Sequence, residues 1–435
     1  ASLKKTITAL IATSILWGIH WKVAMNQSML DKAYQPLTIG PITLPNRFIK
    51  AGANENMSSK GRPTRAMRLH HEELARGGVG MTTMAYVAVE KDGRTLPDQV
   101  WIHEEAMRDL KAVTDAVHRA GGKIAAQITH GGSFVTGVFV PRRLKSSVSG
   151  FNPAGLLRGN MFRRAMNERD MSNMIDLFVN AAERCVDAGF DAVEIHMGHG
   201  YLLNQFLSPL DNNRKDEYGG NAENRARFPA RVLRAVKEAV GDRIAVLAKI
   251  NVADGRSRGA QLEDGIVTAK ILEEAGADML VLSGGRNVES GWFTFGSNMN
   301  LEAMLRVIGK WSLSGMAIAS TQKAVPKIEF KELYFWDYST KIREAVSIPL
   351  AYLGGVKSAE NVAQCMEAGF EAVTLARALL REPDLVKKWQ ASPELESLCD
   401  NCNSCVAYIY HPAGTWCIHR PANKLEDNQI LASAG

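Results

Sequence analysis

The densest cluster of groups capable of chemistry is the run Glu194-Ile195-His196-Met197-Gly198-His199-Gly200-Tyr201. Imidazole N–H groups can hold an oxyanion, and a phenol can deliver a proton, so His196, His199 and Tyr201 suit a reaction at a polarised carbonyl. The bland alternatives are a metal pair or two structural histidines, with His130 as one of few further ligands. Gln127, in Gln127-Ile128-Thr129-His130-Gly131-Gly132, offers both a donor and an acceptor to the edge of a heterocycle. Alone, such a residue is more often structural. Lys249 closes another apolar run and could form a Schiff base or stabilise an anionic ring, which keeps aldolase-type chemistry in view. Gly354-Gly355 and Ala376-Arg377 join exposed backbone N–H groups to a positive charge, a phosphate-binding combination. Cys399-x₂-Cys402-x₂-Cys405-x₁₁-Cys417 gathers four soft ligands for an iron–sulfur cluster or structural zinc, or else free thiols or disulfides. Cys185 and Cys365 fall within helical patterns and read as packing residues.

These residues need elements to position them. Ala188-Gly189-Phe190-Asp191-Ala192-Val193 recurs as Ala275-Gly276-Ala277-Asp278-Met279-Leu280 and as Ala368-Gly369-Phe370-Glu371-Ala372-Val373. Each copy follows a helical pattern, puts Gly where a helix ends in the left-handed conformation, and enters a short apolar strand. Reading outward gives eight strands, near 47–52, 80–89, 123–129, 192–197, 244–250, 279–283, 349–353 and 372–376. Continuous apolar strands alternating with helices predict an α/β fold, a closed (β/α)₈ TIM barrel with function at the C-terminal strand ends. No G-x-G-x-x-G follows a strand, which argues against a dinucleotide-binding sheet. Residues 284–335 form a long insertion after the sixth strand and are expected to cap the site.

The chain has 435 residues, 46% of them apolar and 23% charged, which excludes a disordered, collagen-like or multi-span membrane protein. A net charge of +6 without a basic block gives no support to nucleic-acid binding. The expected organisation is an N-terminal extension over 1–33, a barrel over 34–395, and a cysteine segment with its tail over 396–435. Lys4 and Lys5 precede an apolar run, 7–19, shorter than the ~20 residues that cross a bilayer. It reads as an extension outside the fold, with export or membrane anchoring as the alternatives to an otherwise cytoplasmic protein. Met25 or Met29 could be the working start.

Together these residues resemble the Old Yellow Enzyme family, the NADH:flavin oxidoreductases. The resemblance is carried by Gly189-Phe190-Asp191-Ala192-Val193-Glu194-Ile195-His196, Gly200-Tyr201-Leu202-Leu203, Gln205-Phe206-Leu207-Ser208-Pro209, Asn213-Arg214, Asp216-Glu217-Tyr218-Gly219-Gly220 and Glu223-Asn224-Arg225. It implies a barrel binding FMN non-covalently, with NAD(P)H as the transient hydride donor. Ala51, Gly52, Ala53 and Asn54 would line the flavin from the first strand and Tyr86 from the second. Gln127 would bond its pyrimidine ring, and Lys249 would lie where positive charge stabilises the reduced anion. Gly354, Gly355, Ala376 and Arg377 would hold the phosphate. His196 and His199 would bind the substrate carbonyl, and Tyr201 would give the proton. Asn54 stands where the family often has Thr or Cys, and Lys249 where it usually has Arg. The lysine and the cysteine segment resemble the branch containing 2,4-dienoyl-CoA reductase and trimethylamine dehydrogenase.

The resemblance implies reduction of the activated C=C bond of an α,β-unsaturated carbonyl compound. The alternative is an iron–sulfur flavoprotein that acts on an amine or an enoyl thioester and exchanges electrons with a redox partner, with Cys399, Cys402, Cys405 and Cys417 as ligands of a [4Fe–4S] cluster. A third reading is a flavin-binding scaffold whose cysteine segment binds zinc and a partner. A homo-oligomer is the expected assembly.

Overall fold

The computed structural model describes residues 27–135, 144–152, 155, 160–310, 312–322, 325, 327–411 and 414–420. Eight parallel strands close into a barrel: β1 (Phe48–Lys50), β2 (Met81–Ala88), β3 (Lys123–Thr129), β4 (Ala192–Met197), β5 (Ala245–Asn251), β6 (Met279–Ser283), β7 (Leu350–Leu353) and β8 (Ala372–Leu375). Each lies within two residues of its sequence-based position. The outer ring is α1 (Arg65–Arg76), α2 (Glu104–Arg119), α3 (Glu168–Asp187), α4 (Ala222–Val240), α5 (Leu262–Glu274), α6 (Trp336–Ala345), α7 (Ala359–Glu367) and α8 (Arg377–Arg381). The repeated Gly189, Gly276 and Gly369 take φ of +83°, +92° and +84°, the left-handed turn that only glycine adopts without strain. Cys185 and Cys365 are buried, in α3 and α7.

Strand side chains alternate between two environments. Val193, Ile195 and Met197 of β4 pack outward against the helices. Ala192 faces inward, in a small apolar plug with Ile49, Met81, Ala125, Ala245, Leu247 and Met279. An antiparallel hairpin, Leu37–Ile39 with Ile42–Leu44, stoppers that end. A period of two therefore sends Glu194 and His196 further up the same interior wall. The bottom of the barrel is apolar and the top is polar.

Residues 27–33 are helical, and Leu30 and Ala33 are buried in the core, so packing begins before residue 34. The apolar run 7–19 lies outside the described residues. Among the described residues, no helix is long and apolar enough to cross a membrane. The insertion after β6 contains helices Gly291–Phe295, Leu301–Ile308 and Leu313–Gln322 and returns across the barrel mouth at Leu333–Phe335.

Candidate active site

β4 delivers the histidine pair. The backbone N–H of Gly198 donates to His196 Nδ1 at 3.1 Å, which leaves the neutral ring's proton on Nε2. That Nε2 lies 3.2 Å from His199 Nδ1, and His199 Nε2 lies 2.8 Å from Ser283 Oγ at the end of β6. His199 takes φ +60°, a turn held by a bond from its N–H to Asn251 Oδ1 of β5. Burial, then the neighbouring charge of Lys249, holds the His199 pKa down at about 3. Burial, His199 and Lys249 hold His196 well below the usual range. Both rings are therefore neutral near pH 7. His196 Nε2–H therefore donates to His199 Nδ1, and the His199 proton lies on Nε2, donated to Ser283 Oγ; that hydroxyl can also donate, so the opposite tautomer is open to His199 once the bond between the rings is broken.

Tyr201 completes the group. Its ring centroid lies 4.7 Å from that of His196, 5.2 Å from Tyr86 and 5.4 Å from Phe134, all edge to face. Its hydroxyl is within electrostatic reach of the Tyr86 hydroxyl and the Asn287 side chain. Burial raises its pKa well above 10 and pushes Tyr86 up to about 12, so both phenols keep their protons.

A second group lies inside the barrel. Glu194 pairs in register with Gln127 of β3, and His196 with Lys249 of β5. Gln127 Nε2 donates to Glu194 Oε1, which also receives Lys249 Nζ at 3.0 Å. Lys249 Nζ donates to the Gly52 carbonyl at 3.0 Å as well. A Cβ on Gly52 would sit 2.4 Å from Gln127 Nε2, so a larger residue there would have to displace the Gln127 amide. Gln127 Oε1 is buried without a hydrogen-bond partner, an acceptor aimed at something that donates. An acceptor beside a buried ammonium fits the pyrimidine edge of a flavin.

Ala51 to Asn54 run on from β1, tied to β8 by a bond from Ala51 N to Leu375 O at 2.8 Å. Gly354 and Gly355, at φ +131° and +80°, lie against the returning segment 331–335. A Cβ there would lie 2.8 Å from Phe335 or from the Leu333 nitrogen. Arg377, which follows Ala376 at the end of β8, points into a different set of contacts. It donates to Asn403 Oδ1 and, at 2.8 Å, to the Phe295 carbonyl, and so joins the cap to the cysteine segment.

That segment is stitched to the barrel mouth. Thr415 bonds the Asn54 and Glu55 carbonyls at 2.9 and 2.7 Å, and Asn403 Nδ2 bonds Ser297 Oγ at 2.9 Å and the Asn298 carbonyl at 2.8 Å. Cys399, Cys402, Cys405 and Cys417 are free and half-buried. A tetrahedral zinc would draw four sulfurs to about 3.8 Å from one another. Among the described residues the group that approaches such spacing is instead Asp400, Cys402 and His419, with Sγ–Nε2 3.9 Å and Nε2–Oδ2 3.1 Å.

Glu194, Ser283, Asn251 and Asn287 have roles that the sequence reading did not assign. Glu194 was open to detection: a carboxylate two residues from both Ala192 and His196 in an apolar strand must face inward. The buried Lys50–Glu55 pair, with Glu55 Oε2 accepting from Ala85 N at 2.9 Å beside Tyr86, gave no comparable signal. His130 is a structural histidine, bonded to Glu90 at 2.9 Å and to the Gly132 N–H.

A profile of the NADH:flavin oxidoreductase / NADH oxidase family matches residues 32–292. The chain belongs to this family. It is an oxidoreductase of the Old Yellow Enzyme type, and the family is dependent on flavin and NAD(P)H. It is 36% identical over 401 residues to the 4,4'-dithiodibutanoate disulfide reductase of Rhodococcus erythropolis, covering 92% of this chain and 97% of that one. Two solved relatives share the fold: morphinone reductase in complex with tetrahydroNAD (22% identity, TM-score 0.65, 85% of this chain and 93% of that one) and 2-naphthoyl-CoA reductase (21%, 0.73, 91% and 58%). The chain spans about half the length of the longer solved relatives, 58%, 48% and 55% of three of them.

Proposed function

We propose that the protein is an FMN-dependent reductase that draws on NAD(P)H and saturates the activated C=C bond of an α,β-unsaturated carbonyl compound. The observation that carries this reading is the convergence of two neutral imidazoles and an unionised phenol beside the Gln127–Lys249 group. Residues 51–54, Gln127 and Lys249 would seat FMN, which would supply hydride transfer from the nicotinamide to the β carbon of the second substrate. His196 and His199 would hold the carbonyl oxygen between Nε2 and Nδ1, where charge develops as the enolate forms. Tyr201 would protonate the α carbon, with Tyr86 and Asn287 fixing its hydroxyl. Gly354, Gly355, Ala376 and Arg377 would hold the phosphate, and Ala51, Ala53 and Asn54 would flank the ring. Anaerobic turnover of a simple cyclic enone with NADH and NADPH tests the proposal. Flavin-replete protein that consumes neither reductant, or leaves the enone unchanged, refutes it.

A second reading follows from the full-length similarity to a disulfide reductase. In it the same site reduces an organic disulfide: one sulfur takes the hydride, the S–S bond breaks, and the other sulfur leaves as a thiolate that collects a proton. The cysteine segment supports a [4Fe–4S] cluster in either case, and with it a redox partner. Electron resonance on the reduced protein tests the cluster, and absence of its signal from iron-replete protein removes it.

A further inference from the structure

We infer that Glu194 is a positioning residue that fixes the Gln127 amide with its oxygen toward the flavin and moderates the positive charge of Lys249. The inference rests on the proposed flavin seat. A carboxylate only accepts hydrogen bonds, so the amide edge facing it must be the NH₂. With Nε2 committed to Glu194, Oε1 is turned the other way, and it is the amide atom left buried and unpartnered. The one imide N–H of the isoalloxazine pyrimidine is the donor that such an acceptor selects. A free glutamine could present either edge at similar cost; Glu194 removes that choice.

The same Oε1 receives Lys249 Nζ, and both side chains are nearly inaccessible, at 1% and 2% exposure. Lys249 therefore does not offer a full isolated charge to the ring. Its ammonium is shared between a carboxylate and the Gly52 carbonyl. In this buried setting an opposite charge at 3.0 Å weakens the pull that the ammonium exerts on added electrons. Glu194 thus sets two properties of the seat, the hydrogen-bond polarity of one edge and the electrostatic bias toward the reduced ring. Its side-chain partners are Gln127 and Lys249, not the histidine pair or Tyr201.

The test uses full-length protein stripped of flavin and reloaded with FMN carrying nitrogen-15 at N3. In the unsubstituted protein the N3–H proton should give one slowly exchanging NMR signal. Glu194→Gln should broaden or split that signal, because a neutral amide can accept or donate. It should weaken FMN binding by about tenfold, the loss of roughly one buried hydrogen bond. It should also move the flavin midpoint potential to a more positive value, since Lys249 loses its counter-charge. Gln127→Leu should abolish the protected signal while leaving the potential nearly unmoved, which separates the two roles. A folded Glu194→Gln protein with one intact signal and an unshifted potential overturns the inference. Should that variant not fold, Glu194→Asp keeps the charge and withdraws it from Gln127, and an unaltered N3–H signal there is equally fatal. Unsubstituted protein that takes up no FMN would instead defeat the underlying seat.

Discussion

Replacing Tyr201 by Phe isolates the proton-delivery step. The ring keeps its edge contacts with His196, Tyr86 and Phe134, so the pocket retains its shape. What is lost is one hydroxyl, with its polar interactions with Tyr86 and Asn287. General acid catalysis contributes about 10²–10⁴-fold. The Tyr86 phenol remains in place with its pKa at about 12, a poorly placed but protonated substitute, so the loss should fall near the low end. The expected result is about 100-fold slower enone reduction, about 2.7 kcal/mol of barrier, with flavin reduction by NAD(P)H within about twofold of normal. Anaerobic stopped-flow measurement of the two half-reactions reads each number separately. Equal loss in both, or no loss with the enone, refutes the assignment. A disulfide substrate gives an internal contrast. Its leaving thiol has a pKa of about 8.5 and departs as a thiolate, so the same variant should slow it less than about tenfold.

Other consequences are open to direct measurement. Arg377→Ala should weaken FMN binding by about tenfold or more and leave riboflavin, which has no phosphate, almost unaffected; fluorescence titration with both compares them. Equal loss with both would mean that Arg377 acts only through Asn403 and Phe295. The two site histidines should leave activity flat from pH 6 to 9. Their folded pKa values, about 3 for His199, lie below the unfolded ~6.5. The unfolded chain thus binds the extra protons, so stability is full above about pH 6.5 and falls as the pH drops toward 3. Thermal melts of His199→Asn beside the unsubstituted protein should show a smaller acid loss for the variant. Cys405→Ser should abolish iron retention after anaerobic reconstitution while the protein still takes up FMN; metal analysis and absorbance report the two independently.

The barrel was legible because its grammar is local. Three Ala-Gly turns ahead of apolar strands mark the αβ joins, and the polar residues that end those strands are few enough to read singly. His196, His199, Tyr201, Gln127 and Lys249 all reach the expected end of the barrel. The partners that orient them were less visible, for a physical reason. Ser283, Asn251 and Asn287 are ordinary loop and strand-end residues whose meaning comes from register between strands far apart in sequence. Arg377 illustrates the same limit: its position at the end of β8 was plain, but its grip on Phe295 and Asn403 depends on how two long insertions fold back over the mouth.

The seam between first and last strands is crossed by the cysteine segment. Thr415 hooks the β1 side of that seam and Asn403 engages the arginine leaving β8, with all four sulfurs on the same short ribbon. Those sulfurs are free thiols of intermediate burial within a few residues of both contacts. The ribbon is joined by hydrogen bonds to the loop that follows β1, through Thr415 and Asn54, and to the arginine that opens α8, through Asn403 and Arg377, so it clasps the two sides of the seam.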